Sequence, residues 1–136
     1  MTTLKSYMDL DVWKKSCELT KLVYETTKLF PADEQFGLTS QMRRASVSVP
    51  SNIAEGCGRN GPKDSMRFFY IARGGLYEIE TQTLLSNQLN FIDAVTQQQI
   101  LERIIECKKL LNGFINYHQK LSEGKVTEPI EYYKEG

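Results

Sequence analysis

Apolar side chains recur every third or fourth residue along most of this chain, and no stretch has the sustained alternation of a strand. This spacing is typical of amphipathic helices. It predicts four helices joined by short links, over about Asp9 to Leu29, the positions from Leu38 to Ile53, Pro62 to about Leu89, and about Ala94 to Leu121. Helices of this length pack most simply as an all-α, antiparallel up-down four-helix bundle.

Pro50 interrupts the second helical pattern. Proline lacks an N–H and crowds the preceding turn, which costs about 3 kcal/mol in an unsupported helix interior. We expect a kinked helix rather than a helix end, because Ser46 and Ser48 lie in the preceding turn and a hydroxyl or a neighbouring helix can satisfy the released carbonyl. The alternative is two separate short helices.

Gly74 and Gly75 lie inside the third segment, where each costs about 1 kcal/mol relative to alanine. The expected compensation is the close approach of another helix backbone. An active-site role is the alternative explanation.

The bundle is expected to occupy residues 1–124, with a loosely attached tail over 125–136, because that tail contains Pro129 and has no sustained period. No apolar stretch approaches the roughly 20 residues that cross a bilayer, and the start lacks the apolar core of a secretory signal. We therefore expect no membrane contact and a cytoplasmic location.

Candidate catalytic and metal-binding groups are sparse. Cys17, Cys57 and Cys107 are far apart and show no paired spacing, which predicts reduced structural thiols and no metal site. His118 is the only histidine and lies beside the core stripe of the last helix, so we expect a packed or surface residue rather than a general base. The sequence predicts no catalytic residues and no cofactor.

The chain has no net charge, but its charges are unevenly distributed. Between Gln41 and Gly75 there are six basic residues and two acidic ones, which gives this segment a net charge of +4. Residues 122–136 contain four acidic residues and two basic ones, a net charge of −2. A local basic field on a neutral protein can attract a phosphate backbone.

The stretch NIAEGCGRNGPKDS, residues 52–65, raises the question of a phosphate-binding loop. A P-loop places Gly-Lys-Ser or Gly-Lys-Thr between a strand and a helix. Here Pro62 separates Gly61 from Lys63, Asp64 replaces the hydroxyl residue, and a helical pattern comes first. A dinucleotide-binding loop also follows a strand. We interpret the stretch as a helix C-terminus and a glycine-rich turn into a proline-started helix.

Three basic residues, Arg59, Lys63 and Arg67, cluster at this turn and at the start of the third helix. Together with the helix N-terminus they can hold a phosphate of a nucleic acid without any nucleotide chemistry. The alternative is a solvated polar turn.

Four motifs occur in order along the chain: DLDVW at 9–13, FPADEQFGLTSQ at 30–41, RRASVSVPSNIAEG at 43–56 and RFFYIARG at 67–74. They closely resemble a bacterial four-helix bundle family named after proteins encoded in intervening sequences of large-subunit ribosomal RNA. The resemblance covers most of the chain except its last helix and tail.

The resemblance implies an antiparallel bundle that assembles as a ring-shaped homopentamer, with no established enzymatic activity. The family is also similar to the accessory protein of diversity-generating retroelements, a basic pentameric barrel that binds nucleic acid and the element's reverse transcriptase. The candidate nucleic-acid contacts carried over to this chain are Arg43, Arg44, Arg59 and Arg67, with Asn52 and Glu55 as polar partners that hold the helix-to-helix turn.

Two functions stay open. In the first, a non-enzymatic oligomer binds RNA or DNA through a basic surface on the second and third helices, alone or with a protein partner such as a reverse transcriptase. In the second, a structural or protein-interaction module uses the same arginines in salt bridges to Glu55, Glu78 or Glu80, within or between subunits. An enzyme is a third possibility that no motif supports.

Overall fold

The computed structural model describes residues 6–125, which form four long helices. These are α1 (Asp11–Thr27), α2 (Leu38–Cys57), α3 (Pro62–Gln88) and α4 (Ala94–Ser122), with two short 3-10 helices at Tyr7–Asp9 and Ala32–Glu34. No strand occurs within residues 6–125. The predicted all-α class is confirmed, and the tail predicted for 125–136 lies outside the described residues from 126 onward.

The helices form a closed bundle in which sequence neighbours run in opposite directions. Each helix packs against the next one in sequence, and α4 packs back against α1. Lys15 pairs with Glu106, whereas Glu18, further along α1, pairs with Arg103, which comes earlier in α4. These reversed pairings are those of antiparallel helices, as the up-down bundle predicts.

One apolar stripe from each helix fills the core. Its fully buried side chains include Leu19, Val23, Met42, Val49, Ile53, Phe69, Leu76, Ile79, Ile100, Ile104 and Leu111. Burying a side chain of this kind stabilises the fold by roughly 1.5–3 kcal/mol. The three- and four-residue spacing that predicts the helices is therefore the spacing of the residues that meet in the core.

Helix α2 continues without a break through Pro50, so the alternative of two short helices is wrong. The missing proline N–H leaves the Ser46 carbonyl without its normal partner in the helix. The hydroxyl of Thr20 on α1 donates a hydrogen bond to that carbonyl, with 2.8 Å between the two oxygens. A neighbouring helix thus compensates for the proline, as the sequence predicts.

The two adjacent glycines of α3 have different surroundings. A Cβ on Gly75 would lie 2.8 Å from Oγ of Ser48 and 3.3 Å from the carbonyl oxygen of Ala45, so α2 approaches α3 closely there. Apart from the adjacent backbone of α3, no atom of residues 6–125 would lie within 4 Å of a Cβ on Gly74. The expected close approach is confirmed for Gly75, and no helix of residues 6–125 makes it at Gly74, because one residue rotates a side chain about 100° around the helix.

Within residues 6–125, none of the helices is both long enough and apolar enough to cross a membrane.

Candidate nucleic-acid interface

The glycine-rich stretch forms the turn between α2 and α3. Helix α2 ends at Cys57 and α3 begins at Pro62, with proline in the first turn as predicted. Gly61 precedes α3 with a φ of +114°, a conformation that glycine adopts readily. Gly61 at the N-cap has no side chain that could cap this end of α3. Pro62 has no N–H, and the N–H groups of Gly61 and Ser65 donate to backbone carbonyls, so within residues 6–125 the unpaired donors at this helix end are the N–H groups of Lys63 and Asp64.

Arg59 is the anchored basic residue of this turn. Its Nη2 lies 2.7 Å from Oε1 of Glu55, and its Nε lies 3.9 Å from Oδ2 of Asp64. Its guanidinium also stacks over the ring of Phe68, with the central carbon 4.4 Å from the ring centroid. These contacts fix the Arg59 side chain, but the two carboxylates offset its charge.

Arg67 lies on the first turns of α3 and shares two of these partners. Its Nη2 is 3.2 Å from Oδ1 of Asp64, and its guanidinium stacks over Phe68 at 4.5 Å. The Phe68 ring therefore supports two arginines. The sequence shows Phe68 next to Arg67, so that contact could be expected. The contact of Arg59 with the same ring forms only when the turn between α2 and α3 folds.

Lys63 is exposed, and it forms no ion pair with any residue of the described part of the chain. We call Arg59, Lys63 and Arg67 the turn cluster. Together with Glu55 and Asp64, these residues have a local net charge of +1. The +4 of the whole segment is therefore not concentrated at the turn.

Arg43 lies away from the turn cluster, at the interface of α2 with α1. It is half-buried, its Nε donates to Oγ1 of Thr27 at 2.8 Å, and its guanidinium lies 4.7 Å from the centroid of the Tyr24 ring. Arg43 therefore connects α2 to the end of α1. Only the remaining exposed part of its guanidinium is available to a ligand.

Arg44 is exposed and lies on another side of α2, in a groove between α2 and α3 that also contains Glu78. Neither Arg44 nor Glu78 forms a hydrogen bond or an ion pair within residues 6–125. Glu80 pairs with Lys108 at 2.8 Å rather than with an arginine. Of the three alternative partners expected for the arginines, Glu55 is the one that pairs within the chain, and neither Glu78 nor Glu80 pairs with an arginine within residues 6–125.

The two predicted polar partners occupy different environments. Glu55 pairs with Arg59 and so links the last turn of α2 to the chain reversal. Asn52 donates from its Nδ2 to the carbonyl oxygen of Ser48 at 2.8 Å, one turn back within α2. Asn52 thus supports α2 around Pro50 rather than the turn itself.

The single histidine is a packed residue. His118 is fully buried, donates from Nδ1 to the Phe114 carbonyl oxygen at 2.8 Å, and contacts the edges of the Phe69, Phe114 and Tyr117 rings. Burial lowers its pKa to about 4, so the ring is neutral at neutral pH. Its prediction as a packed residue is confirmed.

Two of the three thiols, those of Cys17 and Cys107, are shifted away from the reactive thiolate form. Cys17, Cys57 and Cys107 are free, and Cys107 and Cys57 are buried. Burial raises the pKa of Cys107 to about 11 and raises that of Cys17, which suppresses the nucleophilic thiolate form. No group of three or more His, Cys, Asp or Glu side chains suited to a metal ion occurs among the residues that the structure describes.

Residues 8–113 match the model of a family described as 23S rRNA-intervening sequence protein. The chain belongs to this family. It is also similar to a protein of unknown function from the S23 ribosomal protein family of Bacteroides thetaiotaomicron VPI-5482, whose crystal structure was solved at 1.70 Å. The two chains are 25% identical, with a TM-score of 0.71, and the match covers 76% of this chain and 97% of the other. No curated protein matches the chain.

The 23S rRNA-intervening sequence family is the one that the four motifs resemble. The matched range includes α1, α2, α3 and most of α4, and it contains all five predicted basic contacts. The solved relative has no known function, so neither comparison assigns a reaction or a ligand to these residues.

Proposed function

We propose that this protein is a non-enzymatic, oligomeric helical bundle that binds nucleic acid through the basic side chains of α2 and α3. The turn cluster is the main contact. The observation that carries the proposal is the placement of Lys63 and the exposed Arg67 beside the uncapped N-terminus of α3. Backbone N–H groups at a helix N-terminus and neighbouring basic side chains are a common phosphate-binding arrangement.

The role of Arg59 in this proposal is positional as well as electrostatic. Its salt bridge to Glu55 and its stacking on Phe68 hold the turn in one conformation. A phosphate that contacts Lys63 and Arg67 meets side chains on a fixed backbone, which lowers the entropic cost of binding. Asp64 opposes an anion at this site, so the contact per copy is weak.

Assembly would raise the affinity of such a weak site. Three basic side chains contact only a few phosphates, and affinity that depends on few phosphates falls quickly with salt. In the ring of five copies that the resemblance implies, several turn clusters can contact one nucleic acid, and this avidity increases the overall affinity. A reverse transcriptase as protein partner stays a prediction of the resemblance.

Arg43 and Arg44 stay predicted contacts, but the structure gives each of them another environment. Arg43 already binds α1 through Thr27 and Tyr24, and Arg44 shares its groove with Glu78. We therefore expect their contributions to nucleic-acid binding to be smaller than those of Lys63 and Arg67.

The ion pairs at the turn support a second candidate function, a structural or protein-interaction module that does not bind nucleic acid. Arg59 pairs with Glu55 and Arg67 pairs with Asp64, so two of the three charges of the turn cluster have acidic partners in the same chain. Both pairs are exposed, and pairs of this kind contribute about 0–1 kcal/mol to stability. In this alternative the arginines only shape the turn.

Fluorescence anisotropy of labelled RNA and labelled duplex DNA distinguishes the two functions. RNA is the first probe because the family is described by an rRNA intervening sequence. The test variant is Lys63→Gln/Arg67→Gln, which removes two exposed charges and keeps Arg59. The matched control is Lys14→Gln/Lys21→Gln, which removes two exposed lysines of α1.

The proposal expects the turn variant to bind at least about tenfold more weakly than the wild type at low salt, while the control changes little. Equal losses in both variants would show attraction by overall charge rather than a site at the turn. Wild-type protein that leaves the anisotropy unchanged at low salt would favour the interaction module.

A further inference from the structure

A groove of about 590 Å³ runs along the seam between α2 and α3. Phe36, just before α2, and Arg44 of α2 line it on one side, and Ile71, Glu78 and Gln82 line it from α3. We call it the seam groove. It lies on a different part of the bundle from the turn cluster, and none of the three turn-cluster residues lines it.

Large apolar side chains border the seam groove. Phe36 is 90% exposed and Ile71 is 48% exposed, although both are bulky apolar residues. Tyr77 and Leu85 continue this surface along α3 and are 53% and 42% exposed. Phe36 and Ile71 line one groove, and Tyr77 and Leu85 line the groove that adjoins it, so these exposed apolar side chains are grouped rather than scattered. Such grouping is a mark of a protein contact.

Gln82, one of the residues that line the seam groove, has a buried side-chain oxygen without a hydrogen-bond donor within residues 6–125. Gln82 is 9% exposed, and within residues 6–125 its Oε1 is the buried side-chain oxygen that has no hydrogen bond. Leaving a buried acceptor unsatisfied costs about 1–3 kcal/mol. Because this oxygen is closed to a water molecule, a donor from another molecule reaches it only when the Gln82 side chain turns toward the groove.

Gly74 lies on the outer surface of α3 between Ile71 and Tyr77. Nothing in the described chain lies near its missing Cβ, so no intrachain contact explains a glycine in the middle of a 27-residue helix. A helix backbone from outside can approach α3 closely at this position. The missing side chain suits close packing of a helix from another copy at this position.

The charges in the seam groove indicate which partner fits. Arg44 and Glu78 have opposite charges, lie in the same groove and have no ionic partner within residues 6–125. A groove that presents both signs suits other copies of this chain, because around a ring Arg44 of one copy can face Glu78 of the next. A phosphate backbone would instead meet the Glu78 carboxylate and apolar side chains.

We propose that the seam groove is the contact between copies of this chain, with Arg44 of one copy paired to Glu78 of its neighbour and α3 packed closely at Gly74. This proposal rests on the oligomeric part of the proposed function and not on its nucleic-acid part. In this proposal Arg44 contacts a neighbouring copy of the chain and does not contact nucleic acid.

Charge reversal tests the pairing. The masses of the wild type, Arg44→Glu, Glu78→Arg and the double variant Arg44→Glu/Glu78→Arg are measured by native mass spectrometry and by light scattering over a range of protein concentrations. Each single variant places like charges against each other between copies, and we expect its self-association to weaken by about tenfold or more. The double variant restores opposite charges and should recover the wild-type mass.

Gly74→Leu provides a second test that does not use charge. A leucine side chain has room on an isolated chain, so this variant should keep its helical circular dichroism while its assembly weakens. Ser51→Leu, at an exposed position of α2 that does not line the groove, is the control and should assemble like the wild type.

Three results would overturn the assignment: a wild-type protein that stays monomeric at tens of micromolar, single variants that assemble like the wild type, or a double variant that fails to recover. The Lys63→Gln/Arg67→Gln variant separates the two proposals, because it should keep the wild-type mass while it loses nucleic acid. If all the groove variants still assemble, the seam groove is not the contact between copies, although the protein does form oligomers.

Discussion

Arg43 and Arg44 are neighbours in sequence, but their side chains leave α2 in different directions. Arg43 packs on Tyr24 and donates to Thr27, whereas Arg44 extends into the seam groove. The sequence identifies both as basic residues of a charged segment but does not indicate these partners, because Thr27 and Tyr24 are brought to α2 only when α1 packs against it. A residue's role here depends on its neighbours in the fold.

The contacts of Arg43 predict a loss of stability when they are removed. Arg43→Ala deletes a side-chain hydrogen bond and a cation–π contact, and we expect the free energy of unfolding to fall by about 1–2 kcal/mol. Lys21→Ala, at an exposed position of α1, is the control and should change it by less than about 0.5 kcal/mol. Urea unfolding followed by circular dichroism measures both. Equal stability of the two variants would mean that the α1 contacts of Arg43 contribute nothing.

His118 predicts a specific dependence of stability on pH. Its pKa is lowered by burial to about 4, below the ordinary value of 6.5 expected in the unfolded chain. The unfolded state therefore takes up a proton at higher pH than the folded state does. The stability associated with neutral His118 is fully present above pH 6.5, decreases as the pH falls from about 6.5 to about 4, and is lost below that range.

The expected loss across this range is about 3 kcal/mol, because each pKa unit corresponds to about 1.4 kcal/mol. Between pH 7 and pH 4.5 the loss amounts to about 2 kcal/mol. Urea unfolding at these two pH values measures it, with His118→Gln as the control that cannot titrate there. Carboxyl groups titrate in both proteins, so the histidine contribution is the difference between their two pH profiles. Parallel profiles would show that His118 is protonated in the folded state as readily as in the unfolded one.

At the scale of whole helices, α2 depends on α1 to remain continuous. Pro50 removes one backbone hydrogen bond, and Thr20 supplies a replacement from the neighbouring helix. The sequence indicates that a compensating group is needed, and it does not indicate that Thr20 is that group. Apolar spacing predicts the four helices to within a few residues because the same spacing builds the core.

The coupling between Thr20 and Pro50 can be measured with a double-mutant cycle. Thr20→Val leaves the Ser46 carbonyl without its side-chain donor and should lower the free energy of unfolding by about 1–3 kcal/mol. In a Pro50→Ala background the new backbone N–H donates to that carbonyl, so the same Thr20→Val change should cost less than half as much. Equal costs in the two backgrounds would show that the hydroxyl does not compensate for the proline.

The surroundings of Gly74 and Gly75 cannot be predicted from the periodicity of α3 alone. They are adjacent residues in the middle of α3, and the sequence alone predicts a close helix contact for both. In the fold, Gly75 faces α2 and Gly74 faces outward. The sequence does not explain the cost of Gly74, and the packed bundle shows that no other element within residues 6–125 lies against it.

At the scale of the whole molecule, the two surfaces differ in chemistry. The turn cluster at the junction of α2 and α3 is polar and has a local net charge of +1, and the seam groove has an apolar border with one charge of each sign. Summing charges along the segment predicts one basic surface with a net charge of +4. The fold instead divides these arginines among a helix contact, a groove and a turn, because neighbours in sequence leave a helix in different directions.

The salt dependence of RNA binding tests the central claim most directly. The logarithm of the binding constant is measured against the logarithm of the salt concentration for the wild type and for Lys63→Gln/Arg67→Gln. Each phosphate contact to single-stranded RNA contributes a slope of about −0.7, so three contacts predict about −2 for each engaged copy. Removal of two contacts should make the slope shallower by about 1.4 for each engaged copy. Identical slopes for the two proteins, or no binding at low salt, would contradict a phosphate-binding site at the turn.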